Sequence, residues 1–87
     1  MKEEIKIEYF TDDWTNNQLR YKIPHLNRNF HGLARWWHPN GQLDTEALYI
    51  HGWMYGIQKK WSSNGQLMYE VPYKKSLQCG ARIDFKY

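Results

Sequence analysis

The side chains best able to do chemistry here are four histidines, one cysteine and a handful of carboxylates. Imidazoles bind transition metals or shuttle protons when folding gathers them. His25, His31, His38 and His51 form no H-x-H or H-x-x-x-H pair, so no local element brings two onto one face. His38 and His51 flank one predicted strand of about nine residues, which at roughly 3.3 Å per residue spans on the order of 30 Å. They cannot share a metal within that unit. Cys79 is the single cysteine, which excludes an intrachain disulfide and a thiolate zinc cluster. No base neighbours it in sequence, so it reads as a small buried or edge residue. Asp12, Asp13, Asp44, Glu46 and Glu70 could pair for acid–base work. Glu46 and Glu70, however, stand 24 residues apart in matching contexts, so a structural role explains them: hydrogen bonds near a turn, or a cross-strand pair with lysine. No glycine-rich phosphate loop is present. The expectation is a non-enzyme with no catalytic residue, metal or cofactor.

The 24-residue offset organises the chain. It links the two copies of NGQL, at Asn40 and Asn64, and also Gly32–Gly56–Gly80, Trp37–Trp61 and Tyr49–Tyr73. Residues 32–55 thus form one unit and 56–79 the next. Residues 80–87 open a third, and 8–31 hold a degenerate first copy. In that copy WTNNQLRYKIPH echoes WHPNGQLDTEALY with one turn residue missing. Worn end units are expected of repeat arrays, because their outer faces meet water. HPNG and SSNG suit turns whose glycine takes positive φ. The runs between them alternate with period two, as in Leu43, Thr45, Ala47 and Tyr49 against Asp44, Glu46, Leu48 and Ile50. Strands are expected near 4–10, 18–24, 32–37, 42–50, 56–61, 66–73 and 80–86. HGWMY and KKSLQ are expected as turns between hairpins, and Pro72 at a bulge or strand end. The fold class is all-β: an antiparallel meander of tandem 24-residue β-hairpin repeats forming an elongated twisted sheet, one domain over 1–87.

The pattern G-x-x-x-x-W-x-x-N-G-Q-L-x-x-E-x-x-Y-x-x-G resembles the MORN repeat, in the variant of bacterial antitoxin-like and large-virus proteins. It is carried by Gly32, Trp37, Asn40, Gly41, Leu43, Glu46, Tyr49 and Gly52, and again by Gly56, Trp61, Asn64, Gly65, Leu67, Glu70 and Tyr73. Together with the degenerate ends, the likeness covers roughly residues 14–85. Ser76 departs from it where Gly52 stood, which implies a different connecting turn, and Asn17 replaces the turn glycine of the first unit. The resemblance implies a β-hairpin repeat, a scaffolding or interaction role and no catalytic machinery. Repeats of this type are also linked to anionic lipids.

One sheet face is expected to carry the hydrophobic spine, with Leu33, Arg35, Trp37, Leu43, Tyr49, Ile57, Lys59, Trp61, Leu67, Tyr69, Tyr73, Ile83 and Phe85. Arg35 and Lys59 would stack on its tryptophans. Trp36 alternates the other way, and its equivalent is Lys60, so the repeat does not demand it. Trp53, Met54 and Tyr55 are large apolar residues where a turn should be polar. Aromatic and basic residues dominate binding hot spots, so the candidate partner-binding set is Trp36, Trp53, Met54, Tyr55, Arg35, Lys59 and Lys60. Its expected partner is a protein, bound in an inhibitory or antitoxin-like role. Net charge +3, a pI of about 9.0 and 17% aromatic residues make nucleic acid the alternative, with an anionic membrane surface behind it. Open outer strands permit a homodimer through sheet edges. With no apolar run long enough to span a bilayer and no leader-like start, the expected setting is cytoplasmic.

Overall fold

The computed structural model describes residues 3–9 and 19–87, so Asp12, Asp13, Trp14 and Asn17 lie outside the described residues. The described chain contains only strands: β1 (Glu3–Tyr9), β2 (Leu19–Leu26), β3 (Asn29–Phe30), β4 (Gly32–Trp37), β5 (Leu43–Ile50), β6 (Trp53–Trp61), β7 (Leu67–Lys74), β8 (Leu77–Gln78) and β9 (Ile83–Asp84). They form one antiparallel sheet in the order β1-β2-β4-β5-β6-β7-β8, with β3 also on β2 and β9 on β7. The sheet measures 41 × 38 × 11 Å. It is one layer thick, since a second layer would add about 10 Å.

Two kinds of turn alternate. Within a unit, the amide of Gly41 donates to the His38 carbonyl and that of His38 to the Gln42 carbonyl. The same bonds recur from Gly65 to Ser62 and from Ser62 to Gln66. Both glycines sit at φ 89°, the left-handed position that ends such a loop, and Pro39 occupies the site where a fixed φ helps. Asn40 and Asn64 each accept the amide two residues on, as Asx turns do. Between units the turn is two residues long, both at positive φ: Asn27 (51°) and Arg28 (71°), His51 (49°) and Gly52 (86°), Lys75 (50°) and Ser76 (63°). Ser76 therefore keeps the geometry of Gly52, contrary to the sequence reading. The amides of Gly52 and Ser76 tie back to the Phe30 and Met54 carbonyls, at 2.7 and 2.9 Å, and these bonds hold the geometry.

HGWMY is not a turn, because only His51 and Gly52 turn and Trp53 already opens β6. The added length goes into a bulge. Ala47 of β5 faces three residues of β6, between the pairs Glu46–Lys59 and Leu48–Tyr55. The same bulge separates β3 from β4 opposite Ile23 and Pro24, and β8 from β9 opposite Val71 and Pro72. It holds two extra residues, so side chains keep their faces on either side of it. Pro24 and Pro72 lie opposite these bulges, where a missing N–H costs no ladder bond. A Cβ on Gly32 would stand 3.0 Å from the Pro24 ring, and one on Gly80 2.9 Å from the Pro72 ring. That close approach explains the recurring glycine. It also divides the strand expected over 80–86, which reduces to Ile83–Asp84.

The first unit keeps the 24-residue offset from Leu19 on, but its first strand does not. Tyr9 pairs with Leu19 as Trp37 pairs with Leu43 and Trp61 with Leu67. Tyr9 thus occupies the repeat's tryptophan position. Residues 10–18 separate these two strands, where the later units use only 38–42 and 62–66. From Leu19 on the chain follows the echo read in the sequence, and Trp14 lies outside the described residues.

Candidate functional site

Pairing registers assign the side chains to two faces. One carries Ile23, Ala34, Ala47 and Val71, the best-buried aliphatics, with Ala34 at 0% and Ala47 at 1% exposure. Ile23, Ala47 and Val71 are equivalent positions. On this alanine face they lie beneath a trough crossing the strands, covered by the larger side chains around them. One wall is the row Tyr21, Trp36, Thr45, Lys60 and Tyr69. The other is His25, Phe30, Tyr49 and Met54, where Phe30 meets both His25 and Tyr49 edge-on at 4.9 and 5.1 Å between ring centres. Four residues along β5 separate the walls, about 13 Å between their Cα atoms.

The opposite face carries a ladder of charge. Lys22, Arg35, Glu46, Lys59 and Glu70 pair successively across β2, β4, β5, β6 and β7. Arg35 Nε stands 3.0 Å from Glu46 Oε2 and Lys59 Nζ 3.8 Å from Glu70 Oε2. This answers why Glu recurs at the repeat interval: each one neutralises a cross-strand cation. It also replaces the expected stacking of Arg35 and Lys59 on tryptophan. Among the described residues the cation over a ring is Arg82, 3.9 Å above Tyr69.

The expected spine mixed the two faces. Leu33, Ile57 and Ile83 belong to the ladder face and are exposed, at 41, 52 and 53%, whereas Tyr49, Tyr69 and Tyr73 stand on the alanine face. The candidate binding residues divide likewise. Trp36, Met54 and Lys60 line the trough, and Arg35, Lys59, Trp53 and Tyr55 lie on the ladder face. The sequence could not show this because the bulges, which set the relative phase of neighbouring strands, leave no mark in period-two alternation.

The trough opens into a cavity of about 400 Å3 lined by Trp36, Asp44, Thr45, Tyr49, Gln58 and Lys60. A one-residue bulge leaves Asp44 without a partner on β4 and directs its carboxylate to Lys60 and Thr45. His38 Nδ1 lies 3.5 Å from the same carboxylate, and its Nε2 lies 2.9 Å from the Trp61 carbonyl, which joins the two units. Burial pushes the Asp44 carboxyl up, but the Lys60 and Thr45 hydrogen bonds and the charges of Lys60 and His38 outweigh it, so it stays below the usual carboxylate range. Burial, and then the neighbouring Tyr73, push the Tyr49 phenol up.

Sequence reasoning missed Asp44, Tyr49 and Gln58 as cavity residues, and it missed a histidine pair. His31 and His51 stack at 4.6 Å between ring centres, and the His51 amide donates to His31 Nδ1. They are 20 residues apart, and only the inter-unit turn brings them together. Among the described residues no three of His, Cys, Asp and Glu converge on a metal-sized site. Cys79 is exposed and follows the outer strand β8, the edge alternative of the sequence reading and not the buried one.

A family model described as the MORN repeat variant matches residues 30–51 and 54–75, and its two copies begin at the same 24-residue spacing. No curated protein and no solved structure matches the chain.

Proposed function

The chain belongs to the MORN repeat variant family, whose repeats are interaction modules, and we propose that it is a non-catalytic binder of a partner protein acting through the alanine-face trough. The observation that carries this is the placement of Trp36. The repeat puts Lys60 and Asp84 at its equivalent positions, so the fold does not require an indole there. Yet Trp36 lines the cavity together with Asp44, Tyr49 and Lys60. Aromatic anchors over a preformed hollow are how interfaces concentrate their affinity. A partner segment lying there would be covered along its length, which is the physical basis of an inhibitory or antitoxin-like role. An exposed, unpaired Cys79 fits a reducing cytoplasmic setting.

Nucleic acid is the weaker reading, because several cations of the central strands are engaged by carboxylates. Arg35, Lys59, Lys60 and Arg82 each contact a carboxylate, which interrupts the positive charge that a phosphate backbone would follow. The test is a tagged pull-down with and without nuclease, run on the natural chain, Trp36→Ala and Trp53→Ala. We expect a stoichiometric protein that survives nuclease, is lost with Trp36→Ala and is kept with Trp53→Ala. Capture abolished by nuclease, or unaffected by Trp36→Ala, overturns the reading.

A further inference from the structure

The ladder face poses a separate problem. Every exposed large apolar residue within the paired strands lies on it, the bulge residue Met68 aside. Leu33, Leu48, Ile50, Trp53 and Ile57 cluster at its centre, at 37–52% exposure, and Ile5 and Ile7 extend it onto β1. Among the described residues the alanine face contributes none. A lone sheet layer that leaves such a patch open is what an uncovered interface looks like.

The charges in the patch say what covers it. Read across β4, β5, β6 and β7, Arg35, Glu46, Lys59 and Glu70 alternate plus, minus, plus, minus. Such a row is its own complement when reversed. A two-fold axis parallel to the strands, passing between β5 and β6, sets Glu46 over Lys59 of a second copy and Arg35 over Glu70. The same rotation sets Leu48 over Tyr55 and Ile50 over Trp53, so apolar meets apolar. Any heterologous protein would need a matching alternation of its own, whereas a second copy brings it by symmetry. We propose that two copies pack ladder face to ladder face as an aligned two-layer sandwich, leaving both alanine-face troughs outward. The 41 × 38 Å outline encloses on the order of 1,500 Å2, and a standard stable interface needs roughly 800 Å2 from each partner. Paired charges within the patch fix the register more than they add affinity.

The test is sedimentation velocity on the natural chain across a concentration series, with variants checked by far-UV circular dichroism. The natural chain should sediment as a dimer. Lys59→Glu sets Glu46 against a new carboxylate across the axis and should weaken dimerisation at least about tenfold. Leu48→Lys, at a position already 37% exposed in the single layer, should fold and sediment as a monomer. The full swap Arg35→Glu, Glu46→Lys, Lys59→Glu and Glu70→Lys restores every in-sheet and cross-sheet pair. It should dimerise with itself and fail to exchange with the natural chain. A natural chain that stays monomeric at 100 μM overturns the proposal. So does a swapped chain that mixes freely with the natural one, and so does a monomer that floats with anionic vesicles, which would assign the face to lipid. The trough reading is judged separately, since Trp36→Ala does not touch this face.

Discussion

The inter-unit turns offer a quantitative check on the backbone. All three place both residues at positive φ, yet they hold Asn27–Arg28, His51–Gly52 and Lys75–Ser76. The second position favours glycine in this turn type. A side chain held there costs about 1–2 kcal/mol, and glycine gives back about 0.4–1 kcal/mol through its freer unfolded chain. Arg28→Gly should therefore stabilise the fold by about 1 kcal/mol. In a chain of this size that is about 4–8 °C in Tm. Ser76→Gly should not repeat the gain. The Ser76 hydroxyl accepts the Met54 amide at 2.9 Å, and losing a hydrogen bond costs about 0.5–1.5 kcal/mol, which cancels the relief. Ser76→Ala keeps the backbone cost and loses the bond, so it should lower Tm. The assay is thermal unfolding by circular dichroism at one fixed protein concentration, because association shifts Tm. The expected order is Arg28→Gly above the natural chain, Ser76→Gly level with it and Ser76→Ala below. Ser76→Gly rising as far as Arg28→Gly would mean that the hydroxyl contact contributes nothing. Arg28→Gly failing to rise would refute the strain argument itself.

Asp44 gives a pH prediction. Its folded pKa lies below the ordinary carboxylate value, so its contribution to stability is present above pH about 4 and is lost as the pH falls through the folded pKa. Asp44→Asn should lower Tm at pH 7 and show a shallower fall between pH 5 and pH 2.5 than the natural chain; parallel falls would remove the role assigned to the Lys60 contact. Gly80→Ala tests the close approach at the last bulge. Its Cβ would sit 2.9 Å from the Pro72 ring, a rigid neighbour, and the overlap should cost about 1–3 kcal/mol, read as a lowered urea midpoint. An unchanged midpoint would show that the β8–β9 edge moves aside freely.

Much of this architecture is legible in the sequence, and the reasons it stops are physical. The recurrence of Asn-Gly-Gln-Leu marks turns that depend on local chemistry alone, so the 38–42 and 62–66 hairpins are where the spacing put them. The connecting turns are less legible. Their geometry is imposed by backbone bonds from the preceding unit, so Ser76 tolerates what Gly52 suggests only glycine would. Trp53–Tyr55 looked like a loop because the following glycine read as a strand start. Gly56 in fact sits within the strand, at a bulge with φ 77°. Face assignment failed for the same reason, since alternation orders side chains within a strand but says nothing of the phase between strands. The cavity residues Asp44 and Tyr49 were therefore visible only as members of opposite faces. A one-residue bulge brings them to one side.

What the units share and what they do not share fall in different places. Shared positions supply turns, the Glu of the ladder and an aliphatic floor, and these suffice to stack hairpins. The unshared residues gather in one unit. The floor holds Ile23 and Val71 in the flanking copies but Ala47 in the middle, and Ala34 pairs with Ala47 across the strands. Both alanines are covered, at 0 and 1% exposure, by larger side chains, and those that line the hollow include Trp36, Tyr49 and Gln58. Trp36 and Asp44, whose equivalents in the next unit are Lys60 and Met68, rise beside it. His38, replaced by Ser62 in the next unit, fixes Asp44 from the turn. A structural repeat under no other demand would have spread such departures evenly or confined them to its ends. Their convergence on one cavity in the most fully formed unit is the reason to look for the partner there.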